Sequence, residues 1–253
     1  MTLPELPDTF RWTQESWGLG LRCRPLEAVA PHVFSTRQLV LSDPESYRRL
    51  AVSIGAERAT TVTQVHGRSV IVIGDEAPQE DRRPEADALI SQSAATALVI
   101  RAADCVPLLM ADRRTGAAAA VHAGWRGTAA KIATAAVGAL QAEFGTRPDD
   151  IVAAIGPAIG PCCYEVGPEL VDAFAADGHD RSLIDRWFQV RRDGKLRLDV
   201  PGANHDQLIL AGVPEEQIHV AGLCTAMHLD VLTSYRAEKE QAGRLAAAIR
   251  ARA

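Results

Sequence analysis

The sequence predicts a single α/β domain spanning residues 1–253. Short apolar or β-branched runs alternate with capped helical stretches. No repeat, low-complexity tract or linker divides the chain, and an apolar content of 47% is ample for a sizeable core.

Trp12, Trp17 and Leu19 suit an N-terminal strand pair, and His32–Arg37 a strand ending in a polar turn. Asp43 then caps a helix to Ile54, with Pro44 at its first position and Gly55 closing it. The alternating stretch Thr60–Ile73 suggests a hairpin broken at His66-Gly67. Glu76–Glu85 reads as a charged, proline-bearing mobile loop. Asp87–Ser91 and Ala97–Met110 read as a short and a longer strand, with Pro107 marking an edge or a bulge. Val99–Met110 and Ala117–Val121 flank Asp112–Gly116, the pattern of a hairpin with a four- or five-residue loop. Thr128 caps an expected helix over Ala129–Phe144, ended by Gly145. A buried strand at Ile151–Ile155, a helix at Pro168–Ala176, a strand at Lys195–Val200, a helix at Ala203–Leu210 and a strand at Gln217–Ala221 follow. By propensity alone, the tail Ala237–Ala253 reads as helix.

Net charge of −5 argues against broad nucleic-acid or acidic-membrane binding. Arg101, Asp104 and Asp112 interrupt the longest apolar stretch, so no membrane helix is expected. The opening MTLPELPDTFRW has neither the basic nor the apolar region of a signal peptide. Five cysteines, an odd number with two adjacent, suit a reduced, cytoplasmic compartment.

Folding the central hairpin about Arg113-Arg114 sets Cys105 opposite His122, or diagonal to it if Gly116 shifts the turn. Directly opposed residues have Cβ atoms roughly 4.5–5.5 Å apart, within reach of one metal ion or one thiolate–imidazolium pair. His66, at the end of another strand, completes a three-ligand set for zinc with an open fourth position. Such an ion activates water and polarises bound oxygen. The competing readings are a strand-end histidine beside a small core cysteine, or a Cys105 nucleophile with His122 as its base, which leaves His66 without a task. Arg126 in Gly124–Thr128 is either an anion site at a helix entrance or a loop tie. Trp125 and Tyr164 either stack a planar base or simply pack. Cys162-Cys163 is too strained a pair for a structural disulfide. The histidines at 32, 179, 205, 219 and 228 are simplest as solvent-facing or satisfied structural groups.

TQVHG (63–67), ADCVPLL (103–109), VHAGWRGT (121–128), IGPAIGPCCYEVGPE (155–169) and SYR (234–236) resemble, in order, the motifs of the laccase-domain family. Members are labelled polyphenol oxidases, purine nucleoside phosphorylases or peptidoglycan editing factors. The resemblance spans Pro31 to Arg244 and implies an α/β/β/α sandwich with mixed sheets. It also implies phosphorolysis of adenosine, inosine and methylthioadenosine, with adenosine deamination beside it. The family's metal ligands fall on His66, Cys105 and His122; Cys105 and His122 carry the catalytic role, and the closing segment Gly243–Ile249 becomes a strand. Purine nucleoside and phosphate are then the small-molecule partners, with Arg37, Arg126, Tyr235 and Arg236 as substrate-binding candidates and Arg37 and Arg126 for the phosphate. Zinc is the expected metal and copper the alternative. A blue-copper centre adds an axial Met, but Met110 lies on the strand face opposite Cys105, leaving Met227. The histidines, without a His-x-His pair, suit a multinuclear copper cluster poorly. A cysteine hydrolase or amidase acting on cell-wall precursors is the third reading.

The sequence also departs from the family pattern. Five residues, Gln38–Ser42, stand where the family carries a glycine-rich loop, so a wall of the substrate pocket is expected to be missing and turnover of adenosine and inosine to be weak. Thr63 replaces the Asn of NQVHG, and Ala237-Glu238 replace the end of SYRRD.

Overall fold

The computed structural model describes residues 3–74 and 83–252. Its first half runs β1 (Phe10–Glu15), β2 (Gly18–Cys23), α1 (Arg24–Glu27), β3 (His32–Ser35), α2 (Pro44–Ser53), β4 (Arg58–Thr60), β5 (Val70–Val72), β6 (Ala88–Ser91), β7 (Thr96–Ala102) and β8 (Val106–Asp112). There follow β9 (Ala118–Ala123), α3 (Trp125–Ala129), α4 (Ile132–Phe144), β10 (Ile151–Ile155), α5 (Glu169–Ala176) and α6 (Arg181–Trp187). The chain closes with β11 (Phe188–Val190), β12 (Leu196–Leu198), α7 (Val200–Leu210), β13 (Ile218–Val220), α8 (Tyr235–Glu238) and β14 (Leu245–Ile249).

Two six-stranded mixed sheets form the body, ordered β1-β2-β3-β14-β7-β4 and β13-β10-β8-β9-β6-β5. Side-chain alternation along the strands divides the core into three layers. Leu98 and Ile100 of β7, Leu109 and Ala111 of β8, and Ala118 and Ala120 of β9 fill the space between the sheets. Ala97 and Val99 face α2 on one outer side, while Leu108, Met110 and Val121 face α4 on the other. The result is the expected α/β/β/α arrangement.

Local chemistry sets several boundaries as the sequence predicts. The Asp43 carboxylate accepts a hydrogen bond from Ser46 N (2.8 Å), and Gly55 closes α2 at φ +70°. The β8–β9 hairpin turns over four residues, with Gly116 at φ +74°.

Other boundaries differ. Thr60–Ile73 is not a hairpin: β4 pairs with β7 in the first sheet and β5 with β6 in the second, and the chain crosses between them at His66, φ +61°. Ala97–Met110 is likewise two strands in different sheets, divided at Asp104, φ +84°. Left-handed backbone is unfavourable for both residues and is held by hydrogen bonds that sequence periodicity does not reveal. Pro107 marks neither an edge nor a bulge. It is the second residue of the interior strand β8, and the ladder to β10 begins only at Leu108, where Pro107 has no N–H to supply.

The single helix expected after Thr128 is two, capped by Gly124 and split at Lys131, φ +64°. The tail is a strand over Leu245–Ile249 despite its alanines. Between β3 and β7 both of its backbone edges are paired, and its small side chains fit between layers, which outweighs helix propensity. Helix α6 and strand β11 had no signal in the sequence. Residues 76–82 of the expected charged loop lie outside the described residues. Among the described residues no helix is long and apolar enough to cross a membrane.

Candidate metal centre

The two crossovers between sheets carry His66 and Cys105 to the same end of the sandwich. There β9 ends at His122, whose side chain follows Ala118 and Ala120 on the face between the sheets. The register Val106↔Ala123 places Cys105 level with Gly124, so Cys105 is diagonal to His122, two residues from direct opposition. One donor atom from each of His66, Cys105 and His122 lies within 4.8 Å of the others. The imidazoles meet edge-on, 4.9 Å between centroids. Space for the trio depends on Gly124: a Cβ there would stand 2.9 Å from Cys105 Sγ and 3.0 Å from His66 Cδ2.

Asp87, fully buried at the start of β6, organises this cluster. Its carboxylate accepts from His66 N (2.9 Å), Gly67 N (2.6 Å) and Val65 N (3.3 Å), which holds the left-handed turn at His66. His122 Nδ1 donates to the same carboxylate at 2.8 Å, leaving Nε2 to face the cluster. This is the carboxylate–histidine support common behind metal ligands. Burial raises the Asp87 pKa, but the His122 bond and the backbone donors outweigh it and hold the acid below its usual range. Burial likewise lowers His122, yet Asp87 and Cys105 lift it to about 9. Burial raises Cys105, and hydrogen bonds from His122 and His66 bring it down to about 6. In the metal-free protein Cys105 and His122 are thus a thiolate and an imidazolium. Once His122 releases its Nε2 proton, the donor set is a thiolate and two imidazoles, which fits a divalent zinc or a copper ion. Met110 lies fully buried on the helix-facing side of β8, as strand alternation predicts, and Met227 is 63% exposed.

The cluster opens into a cavity of about 1080 Å³. Tyr235 and Arg236, both predicted from the SYR motif, line it, as do Trp125 and Tyr164. The Arg236 guanidinium stacks 5.1 Å from the Tyr164 ring centre and donates to Glu165 O. Arg37 and Arg126 do not line the cavity. Arg37 is engaged by Leu229 O and the Glu238 carboxylate, and Arg126 lies 4.3 Å over the Trp125 ring. The cations that do line it are Arg101, Arg236, Lys239 and Arg244. Arg101 Nε is buried without a hydrogen-bond partner, while Gln64 clamps the Arg101 backbone through both its N–H and its carbonyl. Gln38–Ser42 contribute no lining residue.

Spacing alone does not reveal Asp87, 35 residues before His122, or Asp104. The Asp104 carboxylate accepts from Thr225 Oγ1 and Arg236 N, both at 2.6 Å, tying the Cys105 crossover to α8.

The chain belongs to the family described as multi-copper polyphenol oxidoreductase laccase, whose model matches residues 32–252. A purine nucleoside phosphorylase of Bacteroides thetaiotaomicron is 37% identical over 199 residues, 76% of this chain and 73% of that one. An adenosine deaminase, RL5, from an unknown prokaryotic organism is 35% identical over 184 residues, covering 70% and 69%. The crystal structure of YlmD from Geobacillus stearothermophilus shares the fold with a TM-score of 0.83 and 31% identity, covering 98% of this chain and all of that one.

Proposed function

We propose that this chain is a zinc-dependent purine nucleoside phosphorylase acting on adenosine, inosine and methylthioadenosine, with adenosine deaminase activity at the same site. The observation that carries this reading is the convergence of His66, Cys105 and His122 at the wall of a cavity that also presents aromatic faces and several cations. Relatives named for these two activities supply the reaction class. When bound by the three side chains, zinc supplies Lewis acidity, which polarises oxygen and eases loss of a proton from water.

The remaining work falls to the protein. Asp87 holds His122 through Nδ1–H, which aims Nε2 at the cluster as the atom that gives up its proton when a metal binds. Trp125 and Tyr164 offer planar surfaces for the base. Arg101, Lys239 and Arg244 supply positive charge for phosphate in place of Arg37 and Arg126, and the unpartnered Arg101 Nε is one donor without another engagement. Phosphate held there stabilises the positive charge that develops on the ribosyl carbon as the bond to the base breaks.

A cysteine hydrolase is a second reading, favoured by the low pKa of Cys105 beside His122. Metal analysis with a nucleoside panel, run with and without phosphate and chelator, separates the two. Base release that needs phosphate and stops on chelation is expected. Activity that survives chelation and ignores phosphate would establish the hydrolase.

A further inference from the structure

Cys162, Cys163 and Cys224 form a second cluster, whose sulfurs all lie within 4.8 Å of one another. Two separate segments build it. The turn after β10 is closed by Cys163 N and Tyr164 N, which both donate to Gly160 O at 3.0 Å. The segment after β13 is docked on this turn through Ala158 N to Leu223 O (3.2 Å) and Thr225 N to Ala158 O (3.0 Å), which brings Cys224 against it. Gly160 N then donates to Cys224 Sγ at 3.3 Å. Gly160 carries no side chain where a Cβ would stand 3.4 Å from Cys162 Sγ and 3.8 Å from Cys224 Sγ. Cys162 is exposed and Cys224 buried, so the group is reachable from one side and backed by protein on the other. Beside it opens a cavity of about 410 Å³, lined by Cys162, Cys224 and Arg191. None of the three thiols lines the cavity at His66, Cys105 and His122.

We propose that Cys162, Cys163 and Cys224 form a binding site for one soft monovalent cation, Cu(I), held by three thiolates. Three sulfurs around an ion at about 2.3 Å stand about 4 Å apart, so closure from the present spacing takes less than an ångström of side-chain adjustment. Thiolates select Cu(I) and zinc among common ions. Among the described residues no imidazole or carboxylate joins the three sulfurs, and the nearby Asp199 carboxylate already caps α7 through Gly202 N. A trithiolate satisfies Cu(I) without a fourth ligand, whereas zinc would need one. Binding forms three sulfur–copper bonds and releases three thiol protons, with no change in oxidation state. The complex carries a net negative charge, which Arg191 at the cavity wall complements.

Metal-free protein titrated anaerobically with Cu(I) against a chromophoric Cu(I) chelator tests this, with Cys105→Ala as the background so that the first cluster does not contribute. The Cys105→Ala chain is expected to take up one tight equivalent, with copper X-ray absorption showing sulfur neighbours only. Adding the exposed Cys162→Ser change is expected to weaken that equivalent at least a hundredfold, and Cys163→Ser to act likewise. Undiminished uptake in the Cys162→Ser chain, or nitrogen neighbours in the absorption spectrum, would overturn the site.

Discussion

Cys105 and Cys162 are the same side chain in opposite electrostatic settings. Two imidazoles, one of them backed by the buried Asp87, bring Cys105 to about 6, so it is a thiolate at neutral pH. Cys162, exposed on one side, is partly desolvated and stands beside two other thiols, which together push its pKa up and favour the protonated thiol. What surrounds a cysteine, more than its exposure, decides whether it is ready to bind a metal. In the first cluster the thiolate is formed before an ion arrives and His122 gives up its Nε2 proton on binding, whereas the thiols of the second must themselves be deprotonated.

The comparison breaks most visibly at its ligands. Cys105→Ala and His122→Ala are each expected to lose most of the metal and with it the proposed phosphorolysis, because two remaining protein ligands hold an ion such as zinc poorly. Metal analysis beside activity checks this, and a variant that keeps both would show the centre to be misassigned. Asp87→Asn should act more gently, weakening metal affinity by about 10–100-fold. In the metal-free variant the Cys105 titration should also move upward from about 6, since His122 loses its charged support. Ultraviolet absorbance of the thiolate against pH reads this directly, and an unmoved curve would mean that Asp87 does not act through His122.

His32 sharpens the contrast from the other side. Burial pushes it down to about 4, and Cys23 N donates to its Nε2 while Nδ1 meets Ala30 O, so only the neutral ring fits. The unfolded chain binds a proton near pH 6.5 and the folded chain does not until about 4, so stability is complete above 6.5 and falls as pH drops between the two. A loss of about 2 kcal/mol between pH 7 and pH 5 is expected from this group. Urea midpoints on metal-free protein measure it, and a His32→Gln chain should lack that component. The smallest effect belongs to Arg126→Ala. It removes an arginine stacked on Trp125 outside the cavity, so the KM for phosphate should change far less than in Arg244→Ala. The reverse order would return the phosphate site to Arg126.

Much of this was legible in the chain itself. The Asp43 cap and the hairpin around Gly116 are local, set by neighbours a few residues apart. The three metal-ligand candidates were also within reach, because a hairpin brings Cys105 near His122 whatever its exact register. Their support was not. Asp87 meets His122 only because β6 pairs with β9, and His66 joins them only because the chain changes sheets there in a left-handed turn held by the Asp87 carboxylate. The cations of the cavity arrive from β7, from α8 and from the segment after it, while the arginines at 37 and 126 are turned to other partners. The cluster of Cys162, Cys163 and Cys224 spans about sixty residues and closes only when the segment after β13 docks on the turn after β10. Local propensity and periodicity act over one turn or one strand, and the sequence alone determined what they govern. Which distant groups share a charge, a proton or an ion depends on how the two sheets stack and cross, and that was decided only by the tertiary fold.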